Sequence, residues 1–154
     1  MLALLFQIGS ERVALDVRRI KEVVPRVQLQ RLACAPSWLA GTFVYRGRLV
    51  PVVDLHQLAG AGECPGLLSS RIILVPQPGS EEERLFGLLA SEVADLQELE
   101  ADPKALTCLR ETSQPDLGRV LADRDGVLRV LDLDCLLPQL ARGQLLALTR
   151  RETS

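Results

Sequence analysis

Apolar residues along this chain fall in short runs rich in Val, Ile and Leu, cut by Gly, Pro and charged turns. That is the pattern of many short strands. Leu2 to Ile8 predicts a strand, Gly9-Ser10-Glu11-Arg12 a turn, and Val13 to Val17 its hairpin partner. Ile20, Val23 and Val24 have helical spacing, which predicts one or two helical turns over Val17 to Val24 before Pro25 stops them. Val27, Leu29 and Leu32 are spaced for a half-buried strand, and Ala35-Pro36-Ser37-Trp38 for a loop or single turn.

The stretch from Gly41 to Leu55 is the most informative. Two apolar runs flank Arg46-Gly47-Arg48, which predicts a β-hairpin with Gly47 supplying a positive φ. Pro51 marks an edge or a bulge because it has no N–H for a ladder. Asp54 suits the N-cap of a short helix over Leu55 to Ala59, and Gly60 to Gly66 reads as a loop. Arg71 to Val75 and Leu85 to Leu89 are predicted strands around the acidic stretch that ends in Glu81-Glu82-Glu83. Gly118 to Ala122 and Val127 to Leu131 flank the turn Asp123-Arg-Asp-Gly126, and Asp132 to Ala141 has helix character, kinked near Pro138. Pro51-Val-Val-Asp-Leu-x-x-Leu58 also matches Arg129-Val-Leu-Asp-Leu-x-x-Leu136 position for position. Either leucine abundance produces the match, or the chain holds two similar units of strand, Asp cap and helical turn.

Composition narrows the function classes. The 154 residues suffice for one domain or two very small subdomains, and 47% hydrophobic with 25% charged is ordinary for a globular chain. Aromatics make up only 3%, which argues against a base-stacking or carbohydrate platform, and a net charge of −2 gives no drive toward nucleic acid or anionic lipid. No apolar run reaches the roughly 18 residues that span a bilayer, so no direct membrane insertion is expected. The start, Met1 to Phe6, lacks the basic residues of a signal peptide, and a cytoplasmic location is expected. Cys34, Cys64, Cys108 and Cys135 lie far apart without metal-ligand spacing and are expected as reduced thiols.

Catalytic motifs find no support. The chain has no Gly-rich phosphate loop and no Gly-x-Ser-x-Gly elbow. His56 is its one imidazole, expected to be structural or solvent-facing. The Glu81 to Glu83 run reads as a solvated tip, Asp132 as a cap and Asp134 as a first-turn charge. No cofactor and no metal are expected.

Gly41 to Leu55, taken with its flanks, resembles the CheW-like domain, the adaptor module of bacterial chemosensory arrays. The residues that carry the likeness are Pro36, Leu39, Gly41, Arg46, Gly47, Pro51, Asp54 and Leu55. A second block matches over Val120 to Leu137, and Ile20-Lys-Glu-Val23 is similar to the family's Val-x-Glu-Val segment. Two departures stand out: Val44 replaces the family's Asn, and Ala90-Ser91-Glu92-Val93 replaces Val-Asp-x-Val. Some segments look more like adaptors of alternative, Wsp-type systems. The resemblance covers about residues 3 to 140, leaving 143–154 as a tail expected to be partly disordered.

It implies a mainly β fold of two five-stranded SH3-like β-barrels packed together, with short helices, including one near the C-terminus. It also implies a non-enzymatic adaptor between the cytoplasmic tips of methyl-accepting chemoreceptors and the regulatory domain of a CheA-type histidine kinase. The implied partner-binding residues are Ile20, Glu22, Gly41, Tyr45 and Arg46. Gly41, with Ile20 nearby, falls on the kinase-facing side, although Gly41 reads equally as a strand glycine that allows a close approach. Arg46 would pair with Glu22 on the receptor side, Tyr45 could anchor a partner, and Trp38 is expected in the core. An alternative is a stand-alone β-barrel module for a peptide or small ligand, recognisable by a pocket of convergent polar groups.

Overall fold

The computed structural model describes residues 2–66, 70–77, 84–99, 105–106, 118–123, 126–133 and 136. Strands β1 (Leu2–Ile8) and β2 (Glu11–Asp16) form the expected hairpin, with Phe6 opposite Val13. A 3-10 turn over Val17–Arg19 follows, capped by the Asp16 carboxylate, which accepts from the Arg18 N–H.

Beyond Arg19 the chain is not helical, contrary to the spacing of Ile20, Val23 and Val24. Glu22–Pro25 is a strand, β3, because Lys21 N–H donates to Leu74 O at 2.8 Å and draws the chain into a ladder. The β-branched Val23 and Val24 suit that state. The strand expected over Val27 to Leu32 reduces to one bridge, Gln30 to Thr42. Leu29 and Leu32 pack against different cores, so the segment crosses the sheet edge instead of running along it.

The hairpin of β4 (Leu39–Tyr45) and β5 (Arg48–Asp54) forms as expected, with Tyr45 opposite Arg48. Thr42 directs its own N–H and C=O at Gln30, and parallel pairing of β5 with its other neighbour begins only at Val52. Pro51, opposite Thr42, is therefore not required to donate. Helix α1 (Leu55–Leu58) follows at once. Asp54 Oδ1 caps it by accepting from His56 N–H at 2.9 Å and Gln57 N–H at 3.3 Å, while Oδ2 accepts from Cys64 N–H at 3.0 Å.

Strands β6 (Arg71–Pro76) and β7 (Leu85–Glu98) come next, then β8 (Ala105–Leu106), β9 (Gly118–Asp123) and β10 (Gly126–Leu131). The β7 strand runs well past Leu89, where the sequence pattern ends it, because it serves two sheets. Up to Ala90 it pairs with β6, and from Ser91 it pairs with β1. The change of sheet takes a bulge: the register with β1 jumps between Leu5 and Gln7, and Glu92 sits at φ 50°. One sheet is thus β3-β6-β7-β5-β4, and the other continues β7-β1-β2-β10-β9-β8.

The middle of β6 is buried on both faces, which explains why Ile72-Ile73-Leu74-Val75 shows no alternation. Ile72 and Leu74 join Val50, Val52 and Leu89 in one core, whereas Ile73 and Val75 join Phe6, Val13, Leu15 and Leu88 in a larger one. Ala3, Ala14 and Leu128 form a third, on the far side of β1 and β2. The largest core therefore lies between the sheets. Leu55 and Leu58 enter it from α1, and Leu133 and Leu136 from the matching turn after β10, where Leu136 N–H donates to Asp132 O at 3.0 Å. The β5–β7 and β10–β2 pairings are both parallel, so the two copies of the repeated sequence occupy equivalent places. The acidic stretch at 78–83, most of the expected C-terminal helix and the tail at 143–154 lie outside the described residues.

Asp54 is only 5% exposed and accepts three backbone N–H groups. Replacing it with Ala strands those donors, and the expected loss is about 2–3 kcal/mol in urea unfolding, from the cap and a charged acceptor together.

Candidate interaction surface

Glu22 opens β3, Tyr45 ends β4, and Arg46 begins the two-residue turn to β5. These strands are the two edges of one sheet, and the side chains meet across the gap. The Tyr45 hydroxyl donates to Glu22 Oε2, Arg46 Nη2 lies 3.9 Å from the same oxygen, and the Arg46 guanidinium sits 5.2 Å from the Tyr45 ring centre. The hydrogen bond to a carboxylate pushes the Tyr45 phenol above its ordinary value, because ionisation would set two anions together. Arg46 and Gly47 both have positive φ, 49° and 79°, the type I′ pattern that matches hairpin twist. Arg46 pays a left-handed strain for that place, and its side chain remains 75% exposed.

Beside this seam lies an apolar patch. Val44 is 67% exposed and faces Leu49 across the hairpin, with Val27 exposed nearby. A groove of about 370 Å³ runs between them, walled by Gln30, Thr42 and Phe43. The sequence marks Val44 only as a departure from a motif. Strand alternation carried the missed signal, since Gly41, Phe43 and Tyr45 take one face and Val44 the other.

Gly41 and Ile20 stand differently from the three seam residues. Gly41 is buried, with φ 149°, and a Cβ there would meet Gln30 O at 2.7 Å. Its bare Cα lets the Gln30 segment approach β4 and so shapes the groove wall. Ile20 packs, partly buried, against the inter-sheet core, as does Trp38.

A second cavity, about 470 Å³, lies behind Arg26 to Pro36. Its charged groups are already engaged: Arg26 Nη1 donates to Pro65 O at 2.8 Å and Cys64 O at 3.3 Å, Arg31 lies 3.8 Å from Glu63, and Asp54 holds its three amides. Burial pushes the Cys64 thiol up, which keeps it protonated and unreactive.

His56 is buried, at 2% exposure, so the solvent-facing alternative falls away and the structural one stands. Its Nε2 lies 3.1 Å from Ser91 Oγ, a contact that the sequence did not reveal. The pair is not arranged for nucleophilic catalysis. Gly9 N–H donates to Nδ1 at 3.0 Å, so the ring proton sits on Nε2, which must donate to Ser91 and cannot take its proton. Ser91 Oγ in turn donates to Gln7 O at 3.2 Å. Among the described residues no three His, Cys, Asp or Glu side chains converge as metal ligands, and no helix is long and apolar enough to cross a membrane.

Comparison with known proteins gives a consistent picture. A family profile described as CheW-like domain matches residues 2–141. Chemotaxis protein CheW of Treponema pallidum (strain Nichols) is 33% identical over 52 residues, 34% of this chain and 31% of that protein. Chemotaxis protein CheW of Klebsiella aerogenes is 26% identical over 99 residues, 64% of this chain and 57% of that protein. The matched part of the chain thus spans a third to somewhat over half the length of these curated relatives. The crystal structure of the scaffolding protein TtCheW from Thermoanaerobacter tengcongensis superposes with a TM-score of 0.74 at 22% identity, covering 86% of this chain and 84% of that one. That likeness establishes the fold.

Asn adopts the left-handed region more readily than Arg, so Arg46→Asn should leave the melting temperature unchanged or raise stability by up to about 1 kcal/mol. A loss above that size in thermal unfolding would make the exposed guanidinium a structural tie.

Proposed function

Because this chain belongs to the CheW-like domain family, we propose that it is a non-enzymatic adaptor coupling the cytoplasmic tips of chemoreceptors to a CheA-type histidine kinase. The proposal includes residues 3–140 acting as one domain of two barrel subdomains, working in the cytoplasm. The observation that carries it is the exposed Val44–Leu49 pair with Val27, set beside the charged seam of Glu22, Tyr45 and Arg46. A small apolar centre with a polar rim is the anatomy of a protein contact. Arg46 and Tyr45 are residue types that dominate binding energy when a partner covers them. Exposed, the Arg46–Glu22 pair contributes little to folding, which frees it for recognition.

Each proposed residue has a part in this reading. Glu22, Tyr45 and Arg46 meet the receptor side directly. Gly41 sets the groove wall through Gln30, and Ile20 links the start of β3 to the inter-sheet core, toward the kinase-facing side. Ser91 and Val44, the two departures from the family pattern, differ in consequence: Ser91 is 4% exposed and packs inside, while Val44 faces out.

The test measures binding of the purified chain to a receptor-tip fragment and to the kinase regulatory domain by surface plasmon resonance. Val44→Asp and Arg46→Glu are expected to weaken at least one partner by tenfold or more, about 1.4 kcal/mol. Their melting temperatures should stay near that of the unmodified chain. Leu96→Asp, at an exposed position on the other sheet, should bind as the unmodified chain does. Normal binding of both partners by both seam variants would refute the assignment.

A further inference from the structure

His56 joins three elements from both sheets through one ring. It sits on α1, at the end of the β5 unit, and accepts from Gly9 N–H in the β1–β2 turn at 3.0 Å. On its other side Nε2 meets Ser91 Oγ at 3.1 Å, at the residue where β7 leaves β6 and takes up β1. We propose that His56 is a proton-operated latch between the two sheets, which on taking up a proton at Nδ1 releases the Gly9 turn while Nε2–H keeps its hydrogen bond to Ser91.

The geometry supplies the reason. A neutral imidazole offers one acceptor and one donor, and here Gly9 and Ser91 use both. An imidazolium carries N–H at both positions, so Nδ1–H would point at the Gly9 N–H with no acceptor between them. The groups packed around the ring do little to offset this. Ser91 from β7, the Gly9 and Gln7 backbone from the β1–β2 side, and Ala61 after α1, whose N–H donates to His56 O, are all neutral, and among them the Gln7 backbone hydrogen bond favours the imidazolium. Asp54, at the helix cap, is the charged neighbour that favours the imidazolium, and its carboxylate oxygens already hold three amides. Burial outweighs Asp54 and the Gln7 backbone together and holds the His56 pKa below the ordinary 6.5. The sign follows: the closed state binds fewer protons than the open one, so closure is fully favoured above about pH 6.5 and weakens as pH falls toward the lowered value. The latch does not depend on the adaptor reading.

The chain has one histidine, so nitrogen NMR of the imidazole reads this group without ambiguity. The expected result is a neutral ring with its proton on Nε2, titrating with a midpoint below 6.5. Between pH 6.5 and that midpoint, the hydrogen-exchange protection factor of the Gly9 amide should fall by up to tenfold per pH unit, the limit for uptake of one proton. His56→Gln, which cannot titrate, should show no such fall. A midpoint at or above 6.5, a proton on Nδ1, or the same fall in His56→Gln would each overturn the latch. If His56→Gln does not fold, the tautomer and midpoint of the unmodified chain decide alone.

Discussion

One strand has to belong to two sheets. Leu85–Glu98 pairs with β5 and β6 through its first part and with β1 through its second. Because β7 is continuous, the sheets cannot separate without breaking its ladders, and their facing sides are forced to share a core. The shared core explains the chain's composition, since strands covered on both faces need near-continuous apolar runs. It also explains Gly87, where a Cβ would come within 2.7 Å of Ile72 Cγ2. The central strand needs a gap there to let its neighbours close over it.

The edges that β7 leaves behind form the outward-facing chemistry. In the first sheet the terminal strands are β3 and β4, and they approach each other without forming a ladder. A single backbone bridge at Gln30–Thr42 and the Glu22–Tyr45–Arg46 cluster span the gap. That seam leaves the Arg46 guanidinium and the Glu22 carboxylate exposed.

Much of this was legible in the chain because local rules and tertiary demands agree. Arg46-Gly47 between β-branched runs gave the hairpin, and Asp54 gave its cap, since turn and cap chemistry are settled within a few residues. The pairing of Arg46 with Glu22 was also anticipated, through the resemblance. What was not legible depends on distant partners. Val23 and Val24 have helical spacing, yet β6 claims them through contacts some fifty residues away. The extension of β7 is invisible at Ser91-Glu92-Val93, where charge and a small polar residue suggest a loop, because β1 supplies the missing ladder. The Ser91–His56 contact spans 35 residues and leaves no local trace.

The parallel pairing of β10 with β2 has a consequence for how the molecule is made. All strands of the β3-β6-β7-β5-β4 sheet lie between Glu22 and Glu98, so that sheet can be assembled while the rest of the chain is still on the ribosome. β2 is complete at Asp16 but gains its outer neighbour only when Gly126–Leu131 has emerged, roughly a hundred residues later. During synthesis the N-terminal hairpin therefore waits with one side bare. A chain cut short before Gly126 keeps that side bare for good, and an open strand edge is a template for pairing with other chains.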